Sequence, residues 1–429
     1  MSSLPPTLKA CLLGCVSLAC CALGARETNY DEAKVHPYTL PDPLVCLDGT
    51  AVKNAADWTG RRRPEIVRLF EDTVYGKAPG KPAGLRWERS SVDSKALGGL
   101  ATRKQLNVFL TGDPAGPVLR LLIYQPNQLK TPAPVFLGMN FGGNSSVHKD
   151  PGISLNPRWE QPDKKAAPIL GTATEASRGS GASQWPVELL LSRGYALATF
   201  DYNDVTPDFR GLFTKGIHAA YFRPGQTAPE AGEWGAIAAW AWGLSRAMDC
   251  LAADPELDAT RVAIVGFSRL GKATLWAGAL DPRFALVISN NSGCLGAALN
   301  RRWYGEQPGN IIERFPHWTC PAFHRFADRE DDMPVDQHEL LALIAPRPLY
   351  VASATEDRWA DPLGEYLSAW QAGPVYSLFG LKGLPSAQQP APELQVGDSI
   401  GYHLRVGKHA LTEYDWRHFL NFADRKLGR

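Results

Sequence analysis

The chain has 429 residues, and its 45 Lys+Arg against 44 Asp+Glu leave a formal net charge of +1, so no long-range field draws it to nucleic acid or to an anionic membrane. Hydrophobic residues make up 44%, aromatics 10% and charged residues 21%, a balance that supports a large buried core and excludes disordered and fibrous classes. Gly 40 and Pro 34 point to many loops, and 13 Trp is high for this length; most of the Trp serve core packing, with some left for a carbohydrate-handling surface.

Between Lys9 and Arg26 runs ACLLGCVSLACCALGA, a chargeless apolar stretch shorter than the roughly 20 residues that span a bilayer. With Lys9 as its positive flank and small residues around Ala22, Gly24 and Ala25, it reads as a signal peptide over residues 1–25. A lipoprotein signal using Cys20 or Cys21 is the alternative. Either implies export to the periplasm or beyond, and no second stretch is apolar enough for an integral span. The remaining Cys46, Cys250, Cys294 and Cys320 are too scattered for a disulfide scaffold, although an oxidising compartment allows one or two bridges. His317 and Cys320 form half a metal-ligand pattern with no second half, and read as buried structural residues.

After a polar lead-in over 26–60, LNVFLTG (106–112) and VLRLLIYQ (118–125) predict an antiparallel hairpin. Short apolar runs then recur at 135–141, 195–202, 262–267, 285–291 and 349–354, alternating with helical patterns. That alternation indicates a parallel sheet covered on both faces. The clearest helix is 233–254, which contains Trp234, Trp240 and Trp242; a last strand over 402–406 precedes a terminal helix over 412–427. Two connections, 142–190 and 292–340, are long enough to serve a site, and residues 380–399 read as an exposed loop. No internal repeat is present.

Gly266-Phe267-Ser268-Arg269-Leu270-Gly271-Lys272 lies between a buried strand and a helix starting near Ala273. One reading is a nucleophile elbow, with Ser268 on a strained strand-to-helix turn. Its rival is a phosphate-binding loop, G-x-x-x-x-G-K, which needs Ser or Thr directly after the lysine. That position is Ala273, and Thr274 is one residue out of register. The elbow reading prevails, although Leu270 stands where the usual second glycine belongs.

G-x-S-R-x-G-K resembles the nucleophile motif of the glucuronoyl esterases, carbohydrate esterase family 15, in their bacterial form. The resemblance continues through SNNSG (289–293), RRWYGE (301–306), EDRWADP (356–362) and GKHA (407–410), and covers roughly residues 60–425. It implies an α/β-hydrolase fold, a single domain over 26–429, and hydrolysis of the ester joining (4-O-methyl)glucuronic acid of glucuronoxylan to lignin alcohols. It also implies that no metal or cofactor is used; a monomer is expected.

α/β-Hydrolases order their triad Ser, acid, His. Ser268 is the nucleophile, and His409, just after the last strand, is the base; His403 inside the strand and His418 inside the terminal helix read as structural. Many similar sequences carry a glutamate where Asn291 stands here, so the acid is sought in the next loop: Asp357 first, then Glu356, with simple capping or pairing to Arg358 as the bland reading. The residue after the nucleophile supplies an oxyanion N–H. That residue is Arg269, and the resemblance adds its guanidinium; Gly142-Gly143 is a second candidate donor or a plain turn.

Lys272 sits one helical turn beyond Ser268, and the resemblance assigns it, with Glu306 and Trp359, to sugar hydroxyls. Trp159, Trp185, Trp303 and Trp318 are further candidates for the cleft wall. Phe267 stands where some family members have a cysteine, so a disulfide tying the elbow to another loop is not expected. A broader carboxylesterase or acetyl esterase, and a catalytically weak carbohydrate-binding homologue motivated by Asn291, remain the rival functions.

Overall fold

The computed structural model describes residues 27–428 apart from 162 and 164; the leader read at 1–25 lies outside the described residues. Twelve strands occur among them: β1 (Arg86–Ala96), β2 (Ala101–Phe109), β3 (Val118–Pro126), β4 (Ala133–Asn140), β5 (Pro157–Glu160), β6 (Ile169–Thr172), β7 (Ala196–Asp201), β8 (Leu257–Phe267), β9 (Phe284–Asn290), β10 (Leu349–Ala354), β11 (Gln395–Gly397) and β12 (Ile400–Arg405). Ten form one sheet in the order β1-β2-β3-β7-β4-β8-β9-β10-β12-β11, and β5 and β6 make a separate hairpin. From β7 to β12 neighbouring strands are parallel, whereas β1, β2, β3 and β11 join antiparallel at the two edges.

This is the α/β-hydrolase arrangement the sequence predicts. The physical reason lies in β4, β7, β10 and β12, each buried at every position: strands covered on both faces have no solvent side to alternate with, and so read as continuous apolar runs. Alternate side chains enter opposite cores. Val135, Leu137 and Met139 pack with helices Arg63–Phe70, Ala236–Leu251 and Arg269–Leu280. Phe136, between them, packs on the other side with Trp185, Trp416 and helix Glu413–Leu427.

Trp240 and Trp242 lie in the long helix and are buried, but that helix starts at Ala236, so Trp234 packs just before it. Trp185 is likewise core, 5.9 Å centroid to centroid from Trp416, and not part of a cleft wall. The edge strand β1 escapes sequence reading because RWERSSVDSKA is exposed along most of its length and carries no apolar face. The insertion 142–190 holds the β5–β6 hairpin, and 380–399 is an exposed loop except for β11. All four described cysteines are buried and free, so the bridges an oxidising compartment allows do not form among them. No helix among the described residues is long and apolar enough to cross a membrane.

Candidate active site

Ser268 caps helix Arg269–Leu280 at φ 58°, ψ −132°, a conformation that costs a non-glycine residue of order 1–3 kcal/mol and is held only by its surroundings. Ser268 N–H donates to Asn290 O at 2.9 Å, and Ser268 O accepts from Gly271 N at 2.8 Å. A Cβ on Gly266 would lie 2.2 Å from Leu270 O and 2.3 Å from Thr274 Oγ1. Gly271 is similarly confined, with Ser292 Cβ 2.9 Å from where its own Cβ would be. The second close approach of this turn therefore falls at Gly271, and Leu270 is free to be a buried core residue.

Three chain segments converge on the serine. Ser268 Oγ lies 2.9 Å from His409 Nε2, and His409 Nδ1 lies 2.5 Å from Asp357 Oδ2. With the carboxylate on Nδ1, the imidazole keeps its proton there and presents Nε2 as acceptor to the hydroxyl. Asn291 Nδ2 donates to the same Asp357 oxygen at 2.8 Å. The asparagine thus buttresses the acid and does not itself meet the imidazole. Glu356 is exposed, and its backbone N–H is tied to Gly407 O at 2.9 Å.

Phe267 packs against the imidazole, ring centroids 4.6 Å apart, and touches Phe141 on its other side. It supports the histidine by contact. The His409 loop is also held from below: Arg405 donates to Lys408 O at 2.7 Å and to Ala410 O at 3.2 Å while paired with buried Asp415. His403 joins Asp415 at 2.9 Å and Tyr350 OH at 2.9 Å. It is a second histidine–aspartate pair, wholly buried in β12, with no access to a ligand.

Arg269 is fixed by a residue that sequence reading missed. Asp208, buried, accepts from Arg269 Nη1, from His317 Nε2 at 2.8 Å, from Trp318 Nε1 at 2.6 Å and from Tyr202 OH at 2.9 Å. Burial raises the Asp208 carboxyl, but the His317 hydrogen bond and the Arg269 charge outweigh it and hold the group below the usual carboxylate range. The guanidinium lies over Trp318 and Phe315, 4.9 and 5.4 Å from the ring centroids, and its Nε has no hydrogen-bond partner among the described residues. His317 therefore belongs to this network. Gly142 O accepts from Arg158 Nη1 at 3.2 Å, and Gly143 adopts φ 78° ahead of the short helix Asn144–Val147.

Ser268, Arg269, Lys272, Glu306, Trp318, Trp359 and His409 line one cavity of about 320 Å³. Lys272 is buried, and its ammonium donates to Ser292 O at 2.8 Å, to Cys294 O and to Glu306 Oε2 at 2.7 Å. All three of its donors are engaged, so its direct effect is to fix Glu306. Trp359 is half-buried, with Arg314 over its face at 5.6 Å, and its carbonyl accepts from Glu306 N at 2.7 Å. Trp318 forms the cavity wall, whereas Trp159 sits on β5 outside the cavity.

Glu365 is the other residue around the site that is absent from the sequence reading. It lies fully buried below the loop 291–293, accepting from Ser292 N at 2.7 Å, Gly293 N at 2.9 Å and Ser353 Oγ at 2.6 Å. Burial pushes its carboxyl up to about 8. Nothing local marks the roles of Asp208 and Glu365, since the partners that define them, Arg269, His317 and Trp318 for the one and Ser292 and Gly293 for the other, come from distant parts of the chain.

Comparison with known proteins places this geometry in a family. A family model for fungal glucuronyl esterases matches residues 172–380. A carbohydrate esterase from an unknown prokaryotic organism is 48% identical over 94% of this chain and 93% of its own. The solved glucuronoyl esterase from Solibacter usitatus superposes with a TM-score of 0.89 at 49% identity, covering 92% of this chain and 100% of that one. A structure described as a promiscuous esterase of carbohydrate esterase family 15, from a marine bacterial metagenome, gives 0.86 at 48% identity, over 93% and 100%. The chain therefore belongs to carbohydrate esterase family 15, the glucuronoyl esterases.

Proposed function

We propose that the protein is an exported serine esterase that hydrolyses the ester between (4-O-methyl)glucuronic acid of glucuronoxylan and lignin alcohols. The observation that carries this reading is the continuous relay from Ser268 Oγ through His409 to Asp357, at 2.9 and 2.5 Å, opening into a cavity lined by Lys272, Glu306 and Trp359. Ser268 attacks the ester carbonyl while His409 Nε2 takes its proton. Asp357, steadied by Asn291, stabilises the imidazolium that forms. The tetrahedral oxyanion is met by the backbone N–H and the guanidinium of Arg269, whose position is set by Asp208 before the substrate arrives. Collapse expels the alcohol with the proton from His409, and a water activated by the same imidazole releases the uronate. Glu306, fixed by Lys272, binds sugar hydroxyls, and the Trp359 face receives the ring. The leader at residues 1–25 supports export, periplasmic or secreted, as the setting in which a polymer-borne ester is met.

The test compares purified protein on benzyl glucuronate, benzyl galacturonate and p-nitrophenyl acetate, with Ser268→Ala as control. Turnover of the glucuronate well above the other two, abolished in Ser268→Ala, is the expected result. A broader carboxylesterase is the second reading, favoured by the relative described as promiscuous; faster acetate than glucuronate turnover would establish it at the expense of the first. Retained glucuronoxylan binding without any turnover would mark a carbohydrate-binding homologue.

A further inference from the structure

His409 stands on a loop that packing does not hold. Val406, Lys408 and His409 are exposed, Val406 at 53%, and residues 406–410 place no side chain in either core. Segments with so little apolar burial sit at the mobile end of a protein. The relay nevertheless needs the imidazole to meet Ser268 Oγ and Asp357 Oδ2 at once, at 2.9 and 2.5 Å.

One guanidinium supplies the missing constraint. Arg405, the last residue of β12 and 7% exposed, donates from Nη1 to Val406 O at 3.0 Å and from Nη2 to Lys408 O at 2.7 Å and Ala410 O at 3.2 Å. The carbonyls of the residues on either side of His409 are thus held by a single nitrogen. Gly407 is tied to the acid loop: its N–H donates to Thr355 Oγ1 at 3.2 Å, and its carbonyl accepts from Glu356 N at 2.9 Å. Only an arginine presents several donors in one rigid plane, so this clamp is not interchangeable with a lysine.

A buried cation needs a counter-charge. Asp415, fully buried, lies 3.2 Å from Arg405 Nε. It is held in turn by Thr412, whose N and Oγ1 donate to Oδ2 at 2.8 and 2.7 Å at the start of helix Glu413–Leu427, and by His403 Nε2, 2.9 Å from Oδ1. Tyr350 OH accepts from Gln395 Nε2 at 2.9 Å and so turns its own proton toward His403 Nδ1, also at 2.9 Å. The imidazole proton then sits on Nε2, facing Asp415. Burial pulls His403 below its ordinary value and keeps it neutral, which leaves the charge of Asp415 to Arg405.

We propose that the buried set of His403, Asp415 and Arg405 is the positioning device of the catalytic base: Arg405 sets the path of residues 406–410, and through it the alignment of His409 between Ser268 and Asp357. None of the three lines the catalytic cavity, so they act through His409 alone. The proposal deepens the reading of Ser268, His409 and Asp357 as a hydrolytic relay and rests on it.

The experiment centres on Arg405→Lys, which keeps a charge beside Asp415 and loses the fork. It is compared with wild type for kcat and KM on benzyl glucuronate and on p-nitrophenyl acetate, at a temperature well below both thermal midpoints. It is also compared for the downfield imidazole N–H proton resonance of His409, assigned by its absence from His409→Gln. Expected are a fall in kcat of about 10- to 100-fold on both esters with KM within about twofold, and loss of the His409 resonance, while unfolding stays cooperative. Should the lysine variant not fold, Arg405→Gln combined with Asp415→Asn removes both charges together and is expected to show the same pattern. Full kcat in a variant whose midpoint has fallen would make Arg405 a purely structural residue and overturn the proposal, as would a loss carried by KM. Wild type active on the acetate but not on the glucuronate would defeat the proposed substrate and leave the acetate to read the device. If wild type turns over neither ester, the functional reading fails and the resonance decides: its loss in the variant supports the device, and its retention refutes it.

Discussion

Asp357 and Asn291 form one hydrogen-bonded pair behind His409. The aspartate meets the imidazole at 2.5 Å and the asparagine steadies it at 2.8 Å. Asp357→Ala is therefore expected to lower kcat by about 10³-fold or more, since the imidazolium loses its counter-charge and its orientation. Asn291→Ala, which leaves the charge in place, should cost only about tenfold; steady-state kinetics on benzyl glucuronate separate the two. A loss at Asn291 equal to that at Asp357 would refute this division. In the proposed mechanism Arg269 is the group that meets the oxyanion. Arg269→Ala should reduce kcat by about 10²-fold with a smaller effect on KM, because the lost contacts are to charge that develops only in the transition state.

The elbow is an element whose geometry its glycines permit and its packing enforces. Gly266→Ala places a methyl 2.2 Å from Leu270 O, which the strand and helix cannot both accommodate. Overpacking of this kind typically costs about 1–3 kcal/mol, so a lower denaturation midpoint together with loss of activity is expected. An unchanged midpoint would show that the turn yields more than its contacts imply. Below the neighbouring turn, Glu365 holds two backbone N–H groups and titrates up to about 8. Its folded value lies above the ordinary carboxylate value, so the folded state binds the extra proton. The stability this contributes is complete below the unfolded pKa and is lost as pH rises through the folded one, by about 1.4 kcal/mol per pH unit in between. Glu365→Gln keeps the Oε1 contacts and cannot ionise. Its unfolding free energy should fall less steeply than wild type between pH 5 and 8, a window set by the shift from the carboxylate value of 4.5 to about 8. Parallel curves for the two proteins would exclude Glu365 as the group responsible.

At the scale of the molecule, stability among the described residues rests on the two cores flanking the sheet and not on covalent staples. Cys46, Cys250, Cys294 and Cys320 are buried and unpaired, and burial pushes the Cys250 thiol up to about 12, far from the thiolate form that exchanges disulfides. A reducing agent should accordingly leave the thermal midpoint of the protein unchanged. A fall of several degrees would reveal a bridge that the described residues do not contain. The near-neutral charge has a related consequence at this scale, because encounter with an uncharged polysaccharide gains nothing from steering and depends on the shape and the aromatic faces of the cleft.

What the sequence determined by itself were features whose cause is local. Continuous apolar runs fixed the parallel strands, as LYVASA did over Leu349–Ala354, and the spacing of glycines about Ser268 fixed the elbow. The late histidine and the acid loop were legible as well, because chain order in this fold is set by strand order. Tertiary structure alone decided which acid meets His409: Glu356 and Asp357 are neighbours in sequence, yet the turn after β10 exposes one and buries the other against Asn291. It alone revealed Asp208 behind Arg269 and Glu365 below the loop 291–293. Each of these depends on hydrogen bonds between residues far apart in the chain, such as Arg269 to Asp208 and Ser292 to Glu365. Periodicity and spacing report the backbone state of a segment and the faces it presents; which buried charges meet is settled only when the sheet and its insertions bring distant segments together.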